Sequence, residues 1–221
     1  MLLLINLLCL GIIGMMHGHG QLPASSDEGI HTQGKEEHPR IAITFDDGPN
    51  STWTPKLLSG LKERGVKASF FVIGEKAGQN PDIIKRMFEE GHVVGNHTYT
   101  HVQLTRLNDV QACEEITKTN DIIKEITGTY PQFIRPPFGS WNDNLECGIT
   151  MFPVMWTIDT LDWTTENTDK VVNKAVSQAR DNAIILLHDN YESSVDAALR
   201  IVDELKEKGY EFVTVEELLL E

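Results

Sequence analysis

From residue 40 onward the chain alternates short apolar runs with longer stretches whose apolar residues recur at helical spacing. Runs at 41–45, 68–73 and 92–96 read as the first three strands, and those at 132–135 and 152–158 as the fourth and fifth. A near-continuous apolar run at 183–188 suits a sixth strand buried on both faces, and 210–213 suits a seventh. Helical stretches lie between them at 54–64, 81–90, 108–127, 168–179 and 195–208. Several carry their own punctuation. Pro55 sits near the start of the first and Gly65 just past its end; Asn80 is placed to cap the second, and Gly91 and Gly128 to stop the second and third. In the third, Val110, Cys113, Ile116, Ile123 and Ile126 keep close to a 3.6-residue period. Thr214 with Glu217 three residues on spells a capping box for a last short helix. Seven strands alternating with helices predict an α/β fold built on a parallel sheet, open or closed into a barrel.

The first 39 residues break this pattern. Residues 2–16 are apolar except for Asn6 and two glycines, and no Asp, Glu, Lys or Arg occurs from Met1 to Ala24. The run falls short of the roughly 20 residues of a membrane span and fits the apolar centre of a secretory signal, although no basic residue precedes it. We therefore expect an exported protein, secreted or held at the cell surface. Residues 1–24 would be a signal peptide or N-terminal anchor, 25–39 a flexible polar linker, and 40–221 one domain. His17, His19, His31 and His38 are irregularly spaced in this polar tail and are not read as a metal site. The net charge is −14, which repels phosphate backbones, so no nucleic-acid partner is expected; a monomer is. Cys113 suits a buried free thiol on its helix face, the favoured reading, while export would let it pair with Cys147.

The chemistry concentrates where strands end. In parallel α/β folds the C-terminal strand ends line the rim that carries function. Asp46 and Asp47 follow the first strand, His97 and His101 the third, Arg135 ends the fourth, Asp159 and Asp162 follow the fifth, and His188 ends the sixth. His97 and His101, four apart, would share one face of a helical turn and could chelate a metal, with the Asp46–Asp47 pair supplying a third ligand. Two imidazoles and a carboxylate suit zinc-assisted hydrolysis and also a non-haem iron oxygenase; the surplus of acid–base groups favours hydrolysis. An amide hydrolase needs a base for water and an acid for the leaving amine, and His188 beside Asp162 suits the latter.

Five ordered blocks then carry a resemblance: TFDDGP at 44–49, GNHTYTH at 95–101, RPPFG at 135–139, DTLDW at 159–163 and LLHD at 186–189. The stretch they span resembles the polysaccharide deacetylase family, also called the NodB-homology domain or carbohydrate esterase family four. The resemblance implies a distorted (β/α) barrel with about seven parallel strands. It implies that Asp47, His97 and His101 hold a divalent metal, usually Zn²⁺, that Asp46 is the general base oriented by Arg135, and that His188 is the general acid with Asp162 as its charge partner. Trp163 and Leu186 would wall an acetyl pocket, and the backbone N–H of Phe138 would hold an oxyanion. Asp159 receives no catalytic role. Trp141, in a polar loop, is read as a sugar-stacking residue, and Trp156 as core. The expected substrate is an N-acetylglucosamine-containing polysaccharide of the peptidoglycan or chitin type. The alternatives are an O-acetyl esterase on xylan-like polymers and a catalytically silent carbohydrate-binding protein.

Overall fold

The structure, a computed structural model, describes residues 38–145, 147–148 and 150–220. The expectations for residues 1–24 and for most of 25–39 lie outside the described residues. From there the chain runs β1 (Arg40–Asp46), α1 (Trp53–Glu63), β2 (Ser69–Val72), α2 (Gly74–Gln79), α3 (Pro81–Glu89), β3 (Val93–Asn96) and α4 (Asp109–Thr127). It continues through β4 (Phe133–Ile134), β5 (Phe152–Pro153), β6 (Ile158–Asp159), α5 (Thr168–Gln178), β7 (Ala183–His188), α6 (Glu192–Glu207), β8 (Glu211–Val213) and α7 (Val215–Leu220). All pairings are parallel, in the order β5-β4-β3-β2-β1-β7-β6, and β8 pairs with the first half of β1. The sheet curls into a half-barrel jacketed by helices, as expected.

Alternation along the strands decides what faces where. Ile41, Ile43 and Phe45 of β1 point outward into the main core with Leu57, Leu58 and Leu61 of α1 and Ile201 and Leu205 of α6. Ala42 points inward and packs with Phe71, Phe133, Val154, Ile184 and Val215. Thr44 and Asp46 share that inward face, so the barrel interior turns polar toward the C-terminal strand ends. The opposite end is closed by α7. Its Val215 N–H donates to Ser69 Oγ at 3.0 Å, and Arg40 Nη2 donates to Glu217 O at 2.7 Å. The expected capping box forms, with Thr214 N–H donating to Glu217 Oε2 at 2.7 Å and Glu217 N–H to Thr214 Oγ1 at 3.2 Å.

Three expectations are corrected. The fifth strand, read as one run over 152–158, is two short pieces on opposite edges of the sheet: β5 pairs with β4, and β6 with β7. Residues 154–157 cross between the edges, and counting both pieces as one strand leaves seven. Asn80 precedes α3 without capping it, because its side-chain amide donates instead to Lys76 O at 2.9 Å. Cys113 is not a free thiol; it is bonded to Cys147, which ties α4 to the loop after β4.

Gly95 marks the closest packing inside the barrel. A Cβ there would lie 2.7 Å from the Phe71 ring and 3.1 Å from the Phe133 carbonyl oxygen. Gly95→Ala is therefore expected to destabilise the fold by about 1–3 kcal/mol in urea unfolding; an unchanged midpoint would contradict this packing.

Candidate active site

The rim is built by turns that leave the strand ends with unusual backbone geometry. At the end of β1 the inward Asp46 stays buried, and the next residue, Asp47, has φ 68°. This turns the two neighbouring carboxylates in different directions. Asp46 Oδ1 accepts from Arg135 Nη1 at 2.8 Å. Asp47 Oδ1 lies 3.3 Å from His97 Nε2 and 3.2 Å from His101 Nε2.

The two histidines are not on a helical turn, as their spacing suggested. Chain 97–103 is irregular, with φ 62° at Thr98 and 60° at His101. Side chains take the backbone donors that a helix would use. Asn96 Oδ1 accepts from Thr98 N–H at 2.7 Å, and Glu115 Oε2 from the N–H groups of Tyr99 and Thr100 at 2.9 and 2.8 Å. The loop still delivers both rings to one place, 5.0 Å apart between centroids. His97 Nδ1 lies 2.6 Å from Arg135 O. A carbonyl can only accept, so Nδ1 donates to it, and Nε2 is the ring atom turned toward Asp47.

Ligand atoms of Asp47, His97 and His101 lie within 4.8 Å of one another. Asp47 Oδ1 is buried without a hydrogen-bond partner. Burial pushes the Asp47 carboxyl up, but His97 above all, then His101 and His188, outweigh it and hold the carboxyl at about 2. Burial also draws His101 down, favouring the neutral ring that ligation requires. An orphaned buried carboxylate oxygen between two imidazoles fits a divalent cation.

Arg135 is fully buried and serves several partners. Nε donates to Val154 O at 3.0 Å, Nη2 to Met155 O at 3.3 Å, and Nη1 to Thr44 Oγ1 at 2.7 Å as well as to Asp46. Burial lowers its pKa and Asp46 raises it. Thr44 was not expected at the site. It is a β-former inside a buried strand, and only its Oγ1, which also donates to Ile185 O at 2.7 Å, separates it from core.

His188 closes the site from β7. Its Nδ1 meets Asp162 Oδ1 at 2.9 Å, its N–H donates to Asp162 Oδ2 at 2.8 Å, and its Nε2 lies 4.0 Å from Asp47 Oδ2. Burial alone would lower its pKa; the hydrogen bond and charge of Asp162, helped by Asp46 and Asp47, raise it to about 9.

The remaining expected residues divide. Phe138 is exposed with φ 61°, its ring 5.0 Å from that of His101, while the turn's own hydrogen bonds are donated by Gly139 and Ser140. Trp163 is exposed on the rim beside Asp162, and Leu186 is buried in β7. Trp141 is half-buried against the cluster of Leu104, Ala112, Ile116 and Ile134, and that packing accounts for its position. Trp156 packs against the barrel interior, as expected of core. Asp159 ties its own loop, accepting from Leu161 N–H at 2.9 Å.

A parallel half-barrel with a possible Asp-His-His metal site on its rim, and a carboxylate–arginine pair and a carboxylate–imidazole pair beside it, suits the class of hydrolases. Comparison with known proteins narrows the class. The family model described as polysaccharide deacetylase matches residues 33–152. The chain is 42% identical over 179 residues to the peptidoglycan-N-acetylglucosamine deacetylase PgdA of Listeria monocytogenes, covering 81% of this chain and 38% of that protein. It is 38% identical over 187 residues to a peptidoglycan-N-acetylglucosamine deacetylase of Bacillus cereus, covering 81% of this chain and 87% of that one. The solved structure of peptidoglycan deacetylase PdaC from Bacillus subtilis superposes with a TM-score of 0.79 at 41% identity, covering 82% of this chain and 90% of that one. The chain belongs to the polysaccharide deacetylase family. It spans about two fifths of the length of PgdA.

In the metal-free protein, Asp162→Asn is expected to return the His188 pKa from about 9 toward its ordinary 6.5, read by NMR titration of the ring. The folded value lies above the unfolded one, so protonated His188 stabilises the fold fully below about pH 6.5, and that contribution is lost as pH rises through about 9. The stability gap between the wild type and the variant should therefore narrow over this range. An unchanged His188 titration would contradict the pairing.

Proposed function

We propose that this chain is a zinc-dependent N-deacetylase of N-acetylglucosamine units in an extracytoplasmic polysaccharide, with peptidoglycan the first substrate to test and chitin-type polymers the second. The observation that carries the reading is the flanking of one ligand cluster by a base and an acid. Asp46 Oδ2 lies 3.9 Å from His97 Nε2, and His188 Nε2 lies 4.0 Å from Asp47 Oδ2. The names of the similar proteins support the substrate class.

Asp47, His97 and His101 would hold the metal. When bound, zinc would polarise the acetamide carbonyl and make water a better nucleophile. The chain's own groups supply the rest. Arg135 holds Asp46 through Oδ1, which leaves Oδ2 directed to the cluster to take a proton from the attacking water. The backbone N–H of Phe138 would donate to the oxyanion that develops on the former carbonyl. Asp162 holds the His188 ring with Nε2 toward the cluster, and its hydrogen bond and charge keep the ring protonated at neutral pH. His188 can then give its proton to the departing glucosamine nitrogen, so that acetate and a free amine leave. Trp163 and Leu186 would wall the methyl group. A silent binding protein would have no use for this complete set. Export is supported by the apolar run at residues 2–16 and by the Cys113–Cys147 bond, which suits an oxidising compartment.

Incubation with peptidoglycan, chitin oligomers and acetyl-xylan, measuring acetate and free amine together, tests the reading. Equal acetate and amine from an N-acetylglucosamine polymer are expected. Chelation should abolish both, zinc should restore them, and Asp46→Asn should lower kcat by about 10²–10⁴. Acetate without amine, released from acetyl-xylan alone, would make the protein an O-acetyl esterase; no acetate from any polymer would overturn the proposal.

A further inference from the structure

One residue of the LLHD block has no place in the chemistry above. Asp189 follows His188 and is fully buried, with Oδ1 unpartnered and Oδ2 accepting a hydrogen bond from the Thr54 hydroxyl. A buried carboxylate with one oxygen unmatched is costly to keep in a fold and calls for a reason. Its surroundings supply one. Both carboxylate oxygens are turned end-on to the backbone of Gly48, where a Cβ would meet them at 2.6 and 2.7 Å. Gly48 follows Asp47, so Asp189 is the floor under the turn that carries this carboxylate.

The same turn is gripped elsewhere. Thr54 Oγ1 accepts from Asn50 N–H at 2.7 Å while its own proton goes to Asp189. On the far side, Ile73 N–H donates to Gly48 O at 3.0 Å and Lys76 Nζ to Asp47 O at 2.8 Å. The turn is thus pinned between the β2–α2 junction and an Asp189–Thr54 pair that joins β7 to α1. Asp47 has φ 68°, a conformation that a non-glycine residue keeps only when its neighbours enforce it.

We propose that Asp189, through Thr54 and the Gly48 backbone, is a positioning residue that sets where the Asp47 carboxylate stands between His97 and His101. It touches neither substrate nor metal. Its effect is on the affinity of the three-ligand cluster for a cation and on the turnover that depends on that cation. The inference rests on the reading of Asp47, His97 and His101 as metal ligands.

The test uses the full chain, with zinc ion alone as the probe, competed against a chromogenic chelator, and with the unfolding temperature of the metal-free protein and the kcat and KM at saturating zinc measured in parallel. Asp189→Ala and Thr54→Val are expected to weaken zinc binding by about tenfold or more and to lower kcat with KM within about twofold, because the ligand turn is misplaced. Thr54→Ser keeps the hydroxyl and should stay within about twofold of the wild type on every count. A purely structural role would lower only the unfolding temperature. Folded Asp189→Ala and Thr54→Val proteins that bind zinc as the wild type does would overturn the proposal and leave the metal site standing. If Asp189→Ala does not fold, the contrast between Thr54→Val and Thr54→Ser decides. A wild-type chain that binds no zinc would overturn the metal reading and this inference with it.

Discussion

The site and the closure of the barrel depend on the same buried cation. Arg135 has no contact with solvent, yet its guanidinium reaches Asp46 and Thr44 on β1 and the carbonyls of Val154 and Met155. Its own carbonyl accepts a hydrogen bond from His97 Nδ1, and its N–H donates to Asn96 O at 2.9 Å. A buried charge without such partners would be strongly destabilising, and removing one partner from the set would leave the rest uncompensated. The arrangement therefore couples three things: the orientation of Asp46, the orientation of the His97 ring, and the course of residues 154–157 between the sheet's two edges. The guanidinium also lies 4.2 Å over the Phe71 ring, so the apolar interior packs against the same group.

Backbone strain is placed on the same rim. Six described non-glycine residues have positive φ, and five of them, Asp47, Thr98, His101, Phe138 and Leu161, lie in the loops that carry the site. Such conformations persist where surrounding contacts enforce them. Here the enforcing contacts can be named: Lys76 on Asp47 O, Asn96 on Thr98 and Asp159 on Leu161. The half-barrel supplies rigid strand ends, and short polar bridges aim the side chains from them. His188 shows the electrostatic counterpart, since its burial and its pairing with Asp162 act in opposite directions and the pairing wins.

Much of this was legible in the sequence, for identifiable reasons. Buried parallel strands such as β1 and β7 announce themselves as apolar runs, and the ionisable residues that follow them fall on one rim by topology alone. What was not legible depended on contacts distant in sequence. The six-residue α2, with Gly74 and Gly78 inside it, has too little apolar period to stand out. The His97–His101 spacing suggested a helix because the roles of Asn96 and Glu115 as acceptors for the loop appear only once α4 packs beside it. The run at 152–158 looked like one strand because the gap between the sheet edges is a property of the curled sheet, not of the segment. Thr44, Thr54 and Asp189 resemble ordinary strand, helix and motif residues until their hydrogen bonds are traced.

The account stands on the claim that Asp47, His97 and His101 are one set of metal ligands. The most direct measurement is X-ray absorption at the zinc edge on protein loaded with one equivalent of zinc. The account predicts one tightly held ion per chain with scattering from two imidazole rings and at least one oxygen ligand. A chain that retains no zinc at one equivalent, or a spectrum without imidazole scattering, would contradict it.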